Sequence, residues 1–356
     1  MRSVIGVFIT FIIIAFLLFK TESVQKMINH KICSTLSEKM GTEFSYDKLG
    51  FSIQEQFELT NVLIRDQKQD SLLYVENLLV SINPFKLKEN QLYFSHLKIN
   101  NPRIHINKSI EKEMNYQFLI DSLFRGNMKK KVVLKTITLS NAEIDYDDHS
   151  CSSSFGQLDL NCLHINNFYT SLSINEIEGK KIDIELYEFI LKQQDGIHIN
   201  DLYGHIIKTE SSLDLKKFGL ITDKSHVKIN ELTIFNENGL KNKDLENLYA
   251  TVDIDSSSVV LSEFKSIVPF LEEFDTPIYL SSKGKLQSDT LKMPNLFIKY
   301  GEDFIIDTKL TANNFENINQ THFNADIKKI GVDFPKLFEI ISYFTKKDRS
   351  EEHTSE

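Results

Sequence analysis

At 356 residues, the chain has room for one large domain or two of ordinary size. Its net charge of −9 comes with no basic block, which excludes the usual electrostatic footprint of a nucleic-acid partner. Three cysteines (Cys33, Cys151, Cys162) exclude a disulfide framework. Cys151 and Cys162 could bridge neighbouring strands, but buried free thiols are the simpler expectation.

The first element is Val4-Ile-Gly-Val-Phe-Ile-Thr-Phe-Ile-Ile-Ile-Ala-Phe-Leu-Leu-Phe19, an uncharged run of 16 residues between Arg2 and Lys20. As a helix it would span roughly 24 Å, against a hydrocarbon core of about 30 Å. Snorkelling of Arg2 and Lys20 would cover the difference. No small-x-small cleavage pair follows in Lys20-Thr-Glu-Ser23, so an uncleaved anchor is expected rather than the alternative, a signal peptide. Val4, Ile5, Phe8, Phe11, Ile12, Phe16 and Phe19 would belong to this transmembrane anchor over residues 1–20. The N-terminus would stay in the cytoplasm and the bulk would be exported, giving a single-pass protein of the inner membrane. Over residues 21–41, Val24, Met27, Ile28, Ile32, Leu36 and Met40 recur every three or four positions. That spacing predicts an amphipathic helix stopped by Gly41. It could cap the sheet that follows or lie on a membrane surface.

From Thr42 the period changes to two. Strands are expected over 43–53, 57–66, 72–82, 91–99, 103–107, 132–140 and 142–147, with a helical turn at 83–90 and a helix at 115–124. Further strands are expected over 155–168, 182–191, 196–205, 211–215, 226–235, 248–255, 277–287, 291–300, 304–310 and 322–327. No βαβ rhythm appears, so the fold class is mainly β, an antiparallel meander divided into regions 42–125 and 126–348. The segment Glu263-Phe-Lys-Ser-Ile267 with Phe270-Leu271 is echoed by Asp333-Phe-Pro-Lys-Leu337 with Ile340-Ile341, 70 residues on. Such an echo suggests repeating units along an elongated sheet.

The stretch Leu72–Ile82 is apolar on both faces. One carries Leu72, Tyr74, Glu76, Leu78, Val80 and Ile82; the other carries Leu73, Val75, Asn77 and Leu79. A half-solvated strand should alternate more cleanly. Both faces should therefore be covered, by helices or by the occupant of an apolar groove whose candidate lining is Leu72, Tyr74, Leu78, Val80 and Ile82.

Catalytic and cofactor-binding constellations are not apparent. Asp145-Tyr-Asp-Asp-His149 could hold a divalent cation but reads first as a solvated turn. His96 and His105 stand at no metal-ligand spacing, and there is no Gly-rich phosphate loop, nucleophile elbow or CxxC. The chain is expected to be no enzyme and to need no cofactor. Residues 349–356, Arg-Ser-Glu-Glu-His-Thr-Ser-Glu, resemble the in-frame translation of a sequencing adapter. They are expected to be non-native, with the protein continuing past Asp348; a genuine polar tail is the alternative.

The succession of an anchor, a short amphipathic helix, Phe57-Glu-Leu-Thr-Asn-Val-Leu-Ile-Arg-Asp66, Ser71–Ile82, Leu92–Ile106 and Asn115-Tyr-Gln-Phe-Leu-Ile-Asp121 resembles the N-terminal region of the AsmA/TamB family in its Bacteroidetes-type form. The resemblance covers about residues 1–125. It implies a periplasmic sheet curled into a groove (the β-groove or β-taco type) that carries phospholipid between inner and outer membranes in outer-membrane biogenesis. Its alternative implication is a scaffold that assists translocation and assembly of outer-membrane proteins by pairing its sheet edges with their strands, an outer-membrane assembly protein being a further expected partner.

Overall fold

The structure, a computed structural model, describes residues 21–52, 56–82, 91–109, 113–119, 131–148, 162–178, 180–192, 198–240, 247–266, 268–302, 304–314 and 321–333. The chain divides into two compact units: residues 1–174 with 188–196, and residues 175–187 with 197–356.

The first unit opens on helix α1 (Glu22–Met40), which ends where the sequence indicates. Gly41 takes the left-handed conformation (φ 68°), and its N–H donates to the Ser37 carbonyl, closing the last turn. Ile32, Cys33, Leu36 and Met40 of α1 pack with Phe44, Tyr46, Val62 and Val75 in one core. Asn29 Nδ2 donates to the Tyr46 carbonyl (3.3 Å), and Ser37 Oγ accepts from Phe44 N (2.9 Å), fixing the helix to the chain that follows it. The helix therefore caps the sheet. Burial pushes the Cys33 thiol above its ordinary range, which disfavours the reactive thiolate.

The expected membrane anchor is corrected here. Its residues, Val4, Ile5, Phe8, Phe11, Ile12, Phe16 and Phe19 among them, lie outside the described residues. Among the described residues no helix is long and apolar enough to cross a membrane. The described helix, α1, is interrupted by Glu22, Lys26, Lys31, Glu38 and Lys39. A single-pass placement in an inner membrane is not supported.

Seven strands follow in this unit: β1 (Phe44–Ser45), β2 (Lys48–Ser52), β3 (Gln56–Arg65), β4 (Ser71–Ile82), β5 (Gln91–Lys108), β6 (Lys131–Asp148) and β7 (Cys162–Glu178). Neighbours run β1-β3-β4-β5-β6-β7, with β2 also on β3. The pairing is antiparallel with one departure from the expected meander. β5 and β6 run parallel, Gln91 facing Lys131 and Lys108 facing Asp148. Parallel neighbours need a crossover of a dozen residues or more, and residues 109–130 supply that length. Residues 91–99 and 103–107 merge into one strand, as do 132–140 and 142–147. Asp145, expected in a solvated turn, is therefore inside β6, where His105 of β5 (3.0 Å) and His164 of β7 flank its carboxylate. Cys162, expected to be buried, is exposed, with its thiol 3.1 Å from Asp147 Oδ1. The turn expected at 83–90, Cys151, and the tail 349–356 lie outside the described residues, as does the helix expected at 115–124 beyond Leu119.

The second unit, which takes β8 as far as Tyr187, is a run of antiparallel neighbours in chain order: β8 (Lys181–Ile190), β9 (Ile199–Lys208), β10 (Ser212–Thr222), β11 (His226–Asn236), β12 (Leu248–Val259), β13 (Ile278–Gln287), β14 (Thr290–Tyr300), β15 (Phe304–Asn313) and β16 (His322–Val332). Its described helical segments are two 3-10 turns between β12 and β13, Leu261–Phe264 and Pro269–Glu273. They are latched to the β10–β11 turn by Glu263, whose carboxylate accepts from Thr222 Oγ1 (2.6 Å), Ser225 Oγ and Lys224 N (2.7 Å). The second half of the expected 70-residue echo lies almost entirely outside the described residues. Among the described residues the chain is mainly β, an open sheet with few helices.

Gly204 shows how closely β9 and β10 approach. Its φ is 152°, and a Cβ there would stand 3.0 Å from Phe218 Cα, an atom that cannot swing aside. Gly204→Ala is expected to destabilise the second unit by at least about 1 kcal/mol in chemical denaturation. An unchanged midpoint would contradict that packing.

Candidate functional site

The strands do not alternate cleanly, and the reason is local. In β3, Leu59, Val62 and Ile64 all join the α1-capped core; in β4, Leu73, Val75 and Leu78 do. Strict alternation would place Leu59 opposite Val62. Instead two consecutive residues, Thr60-Asn61 in β3 and Glu76-Asn77 in β4, both point away from the core. Asn61 takes a left-handed backbone (φ 53°), and so do Asn101 (51°), Asn141 (52°) and Asn167 (54°) in β5, β6 and β7. Asparagine tolerates this conformation better than other side-chain-bearing residues. These residues stand at matching levels and are joined in part by their side chains. Asn141 Nδ2 donates to Asn101 Oδ1 (3.1 Å), Asn101 Nδ2 to Glu76 Oε2 (2.6 Å), and Tyr74 OH to Asn61 Oδ1 (2.7 Å).

The consequence is an apolar spacing of two, three and two residues. Phe57, Leu59, Val62 and Ile64 follow it in β3, and Leu73, Val75, Leu78 and Val80 in β4. In β5 it is Leu97, Ile99, Pro102 and Ile104; in β6, Ile137, Leu139, Ala142 and Ile144. Directly opposed residues share a face. The registers Leu59↔Leu78↔Ile99↔Leu139 and Val62↔Val75↔Pro102, with Ile104↔Ile144 beyond, therefore make one continuous apolar face.

The second unit repeats the device. Leu213, Leu215, Phe218 and Leu220 in β10 oppose Ile234, Leu232, Ile229 and Val227 in β11. Lys216-Lys217 and Asn230-Glu231 are the outward pairs, and Lys217 has φ 50°. Onward from β11, Leu232 faces Val252, Ile254 faces Ser282, Ser282 faces Leu296, Leu296 faces Thr308, and Thr308 faces Ile327. Apolar side chains thus line one face of the strands from β10 to β16. They are mostly half-buried, and no helix beyond the two 3-10 turns is present among the described residues of this unit. At β16 the face is open: Phe323 is 71% exposed and Ile330 60%.

The few hydroxyls on this face belong to the backbone. Ser257 Oγ accepts from Lys228 N (2.9 Å), Ser282 Oγ donates to the Asn295 carbonyl (3.4 Å), and Thr308 Oγ1 donates to the Asp326 carbonyl (3.1 Å). Each satisfies a main-chain group at or beside an irregularity of register, where the ladder leaves it open. The opposite face is polar and carries ion pairs Lys228–Asp255 (2.8 Å), Lys283–Asp253 (2.9 Å) and Lys328–Asp307 (3.3 Å). The Lys228 ammonium holds the Asp255 carboxyl below its usual range.

The five residues expected to line a groove do not share one face. Leu78 and Val80 lie on the apolar face. Tyr74 lies on the other, in a shallow polar recess with Glu76, Asn101, Arg103 and His105. Leu72 is buried where the β3–β4 register shifts, and Ile82 is placed in β4 opposite Phe94. Sequence reasoning missed Leu73 and Val75 as partners of Leu78; the signal was the two-three-two spacing. Among the described residues no group of His, Cys, Asp and Glu side chains could hold a metal ion.

Compared with known families, residues 179–220 match a model of the OST-HTH/LOTUS domain. The described residues of that stretch form β8, β9 and most of β10 without a helix, whereas a helix-turn-helix is built from helices. The match spans too little of the chain to assign a family. The whole sequence matches no curated protein.

Proposed function

We propose that this protein carries phospholipid, holding acyl chains on the apolar face of its sheet while headgroups stay in water. The supporting observation is the contiguous apolar face of the second unit, backed by an ion-paired polar one. Each methylene removed from water is worth about 0.8 kcal/mol, so such a face retains lipid without a specific site. Movement along it is passive. The AsmA/TamB resemblance points the same way.

The test is native mass spectrometry and lipid extraction of the purified full chain. Phospholipid should co-purify, and Leu232→Asp and Leu296→Asp should remove it while the protein stays folded. A lipid-free wild type, or folded variants that keep their lipid, would overturn the reading. A second reading, a scaffold that pairs with strands of outer-membrane proteins, is favoured only by β16, whose residues 322–330 are all exposed. Lys328 and Lys329 on that edge oppose indiscriminate pairing.

A further inference from the structure

The second unit also bears a cleft whose aromatic wall belongs to the polar face. It has a volume of about 620 Å³ and lies where β12, β13 and β14 meet the segment leading into β13. Its lining joins two aromatic rings, Tyr279 and Phe297, to hydroxyls of Ser258, Thr276 and Ser281 and to the Lys299–Glu302 pair. Tyr279 faces Lys299 and Ser281 faces Phe297, so the two rings are diagonal neighbours on one face. Tyr279 is 44% exposed, a large ring surface left in water.

The chemistry selects the ligand. Lys299 Nζ and Glu302 Oε1 are 2.8 Å apart and neutralise one another, so the cleft offers no net charge to an anion or a cation. An acyl chain has the opposite, apolar face to occupy and would strand the hydroxyls here. A neutral ring with apolar C–H faces and a rim of hydroxyls matches both parts. It stacks on Tyr279 and Phe297, and it exchanges hydrogen bonds with Ser258, Thr276 and Ser281. The volume falls within the range of small-molecule sites. We propose that this cleft binds a neutral sugar, free or as the headgroup of a glycolipid. The site is independent of lipid carriage on the other face.

Saturation-transfer NMR on the full chain with maltotriose, cellotriose and triacetylchitotriose tests it. Vesicles of phosphatidylcholine with and without galactosyl diacylglycerol form a second arm. Transfer to at least one free sugar, or binding that requires the galactolipid, is expected. Tyr279→Ala and the cleft-filling Ser281→Trp should each lower that signal at least tenfold. Tyr187→Ala, which removes an exposed ring from β8, should leave it unchanged. Melting temperatures confirm that all three variants fold. No response to any sugar overturns the proposal, as does equal binding to both vesicles without sugar transfer, which reports the apolar face instead. A response undiminished in both folded cleft variants overturns it too.

Discussion

Val75→Asp is expected to unfold the first unit, whereas Leu232→Asp leaves the second unit folded. Val75 is 1% exposed and sits beneath α1 among Met40, Phe44, Tyr46 and Val62. A carboxylate there would sit among these apolar side chains out of reach of solvent, and an uncompensated buried charge costs about 3–5 kcal/mol. That is a large part of the 5–15 kcal/mol that holds a typical domain. Leu232 occupies the corresponding apolar face of β11, but no described helix lies over it, and a charge there can be reached by water once lipid leaves. Urea denaturation followed by circular dichroism separates the two. Equal destabilisation would mean that both faces are ordinary core, and lipid carriage would lose its support.

Asn101→Val and Asn141→Val are expected to cost about 1–3 kcal/mol each, the price of forcing a β-branched side chain into a left-handed backbone. Asn101→Gly and Asn141→Gly should be nearly neutral, because glycine adopts that conformation freely. The side chains of Asn101 and Asn141 are bonded to one another, so the double valine variant should cost less than the sum of the singles. Glycine variants as damaging as the valine ones would assign the effect to the lost side-chain hydrogen bonds instead.

These two sets of residues also mark what could be read from the sequence. The helix over 22–40 was legible to the residue, since a 3.6-residue period ran into a glycine that could only end it. The strands were legible as apolar stretches between turn residues. Their facing was not, because Asn61, Asn101, Asn141 and Asn167 each insert a second outward residue and reverse the alternation beyond it. The failure of alternation in Leu72–Ile82 is visible in the sequence and suggests two covered faces, whereas its cause is a mid-strand irregularity. The parallel pairing of β5 with β6 depends on contacts 40 residues apart, which no local pattern carries. The cleft draws its hydroxyls and rings from three strands and the segment before β13, and only the register brings them together.

The outward pairs bear on how the chain finds its register while folding. In an ordinary strand a slip of two residues keeps every side chain on its proper face, so alternation alone cannot reject it. Here Lys216-Lys217 must meet Asn230-Glu231, and Thr60-Asn61 must meet Glu76-Asn77. A two-residue slip would set a kinked segment against a straight one and turn lysine or glutamate toward the apolar side. Each of these two hairpins therefore carries a notch that fixes its register. A long succession of similar strands can use such notches to lock each neighbour into one register.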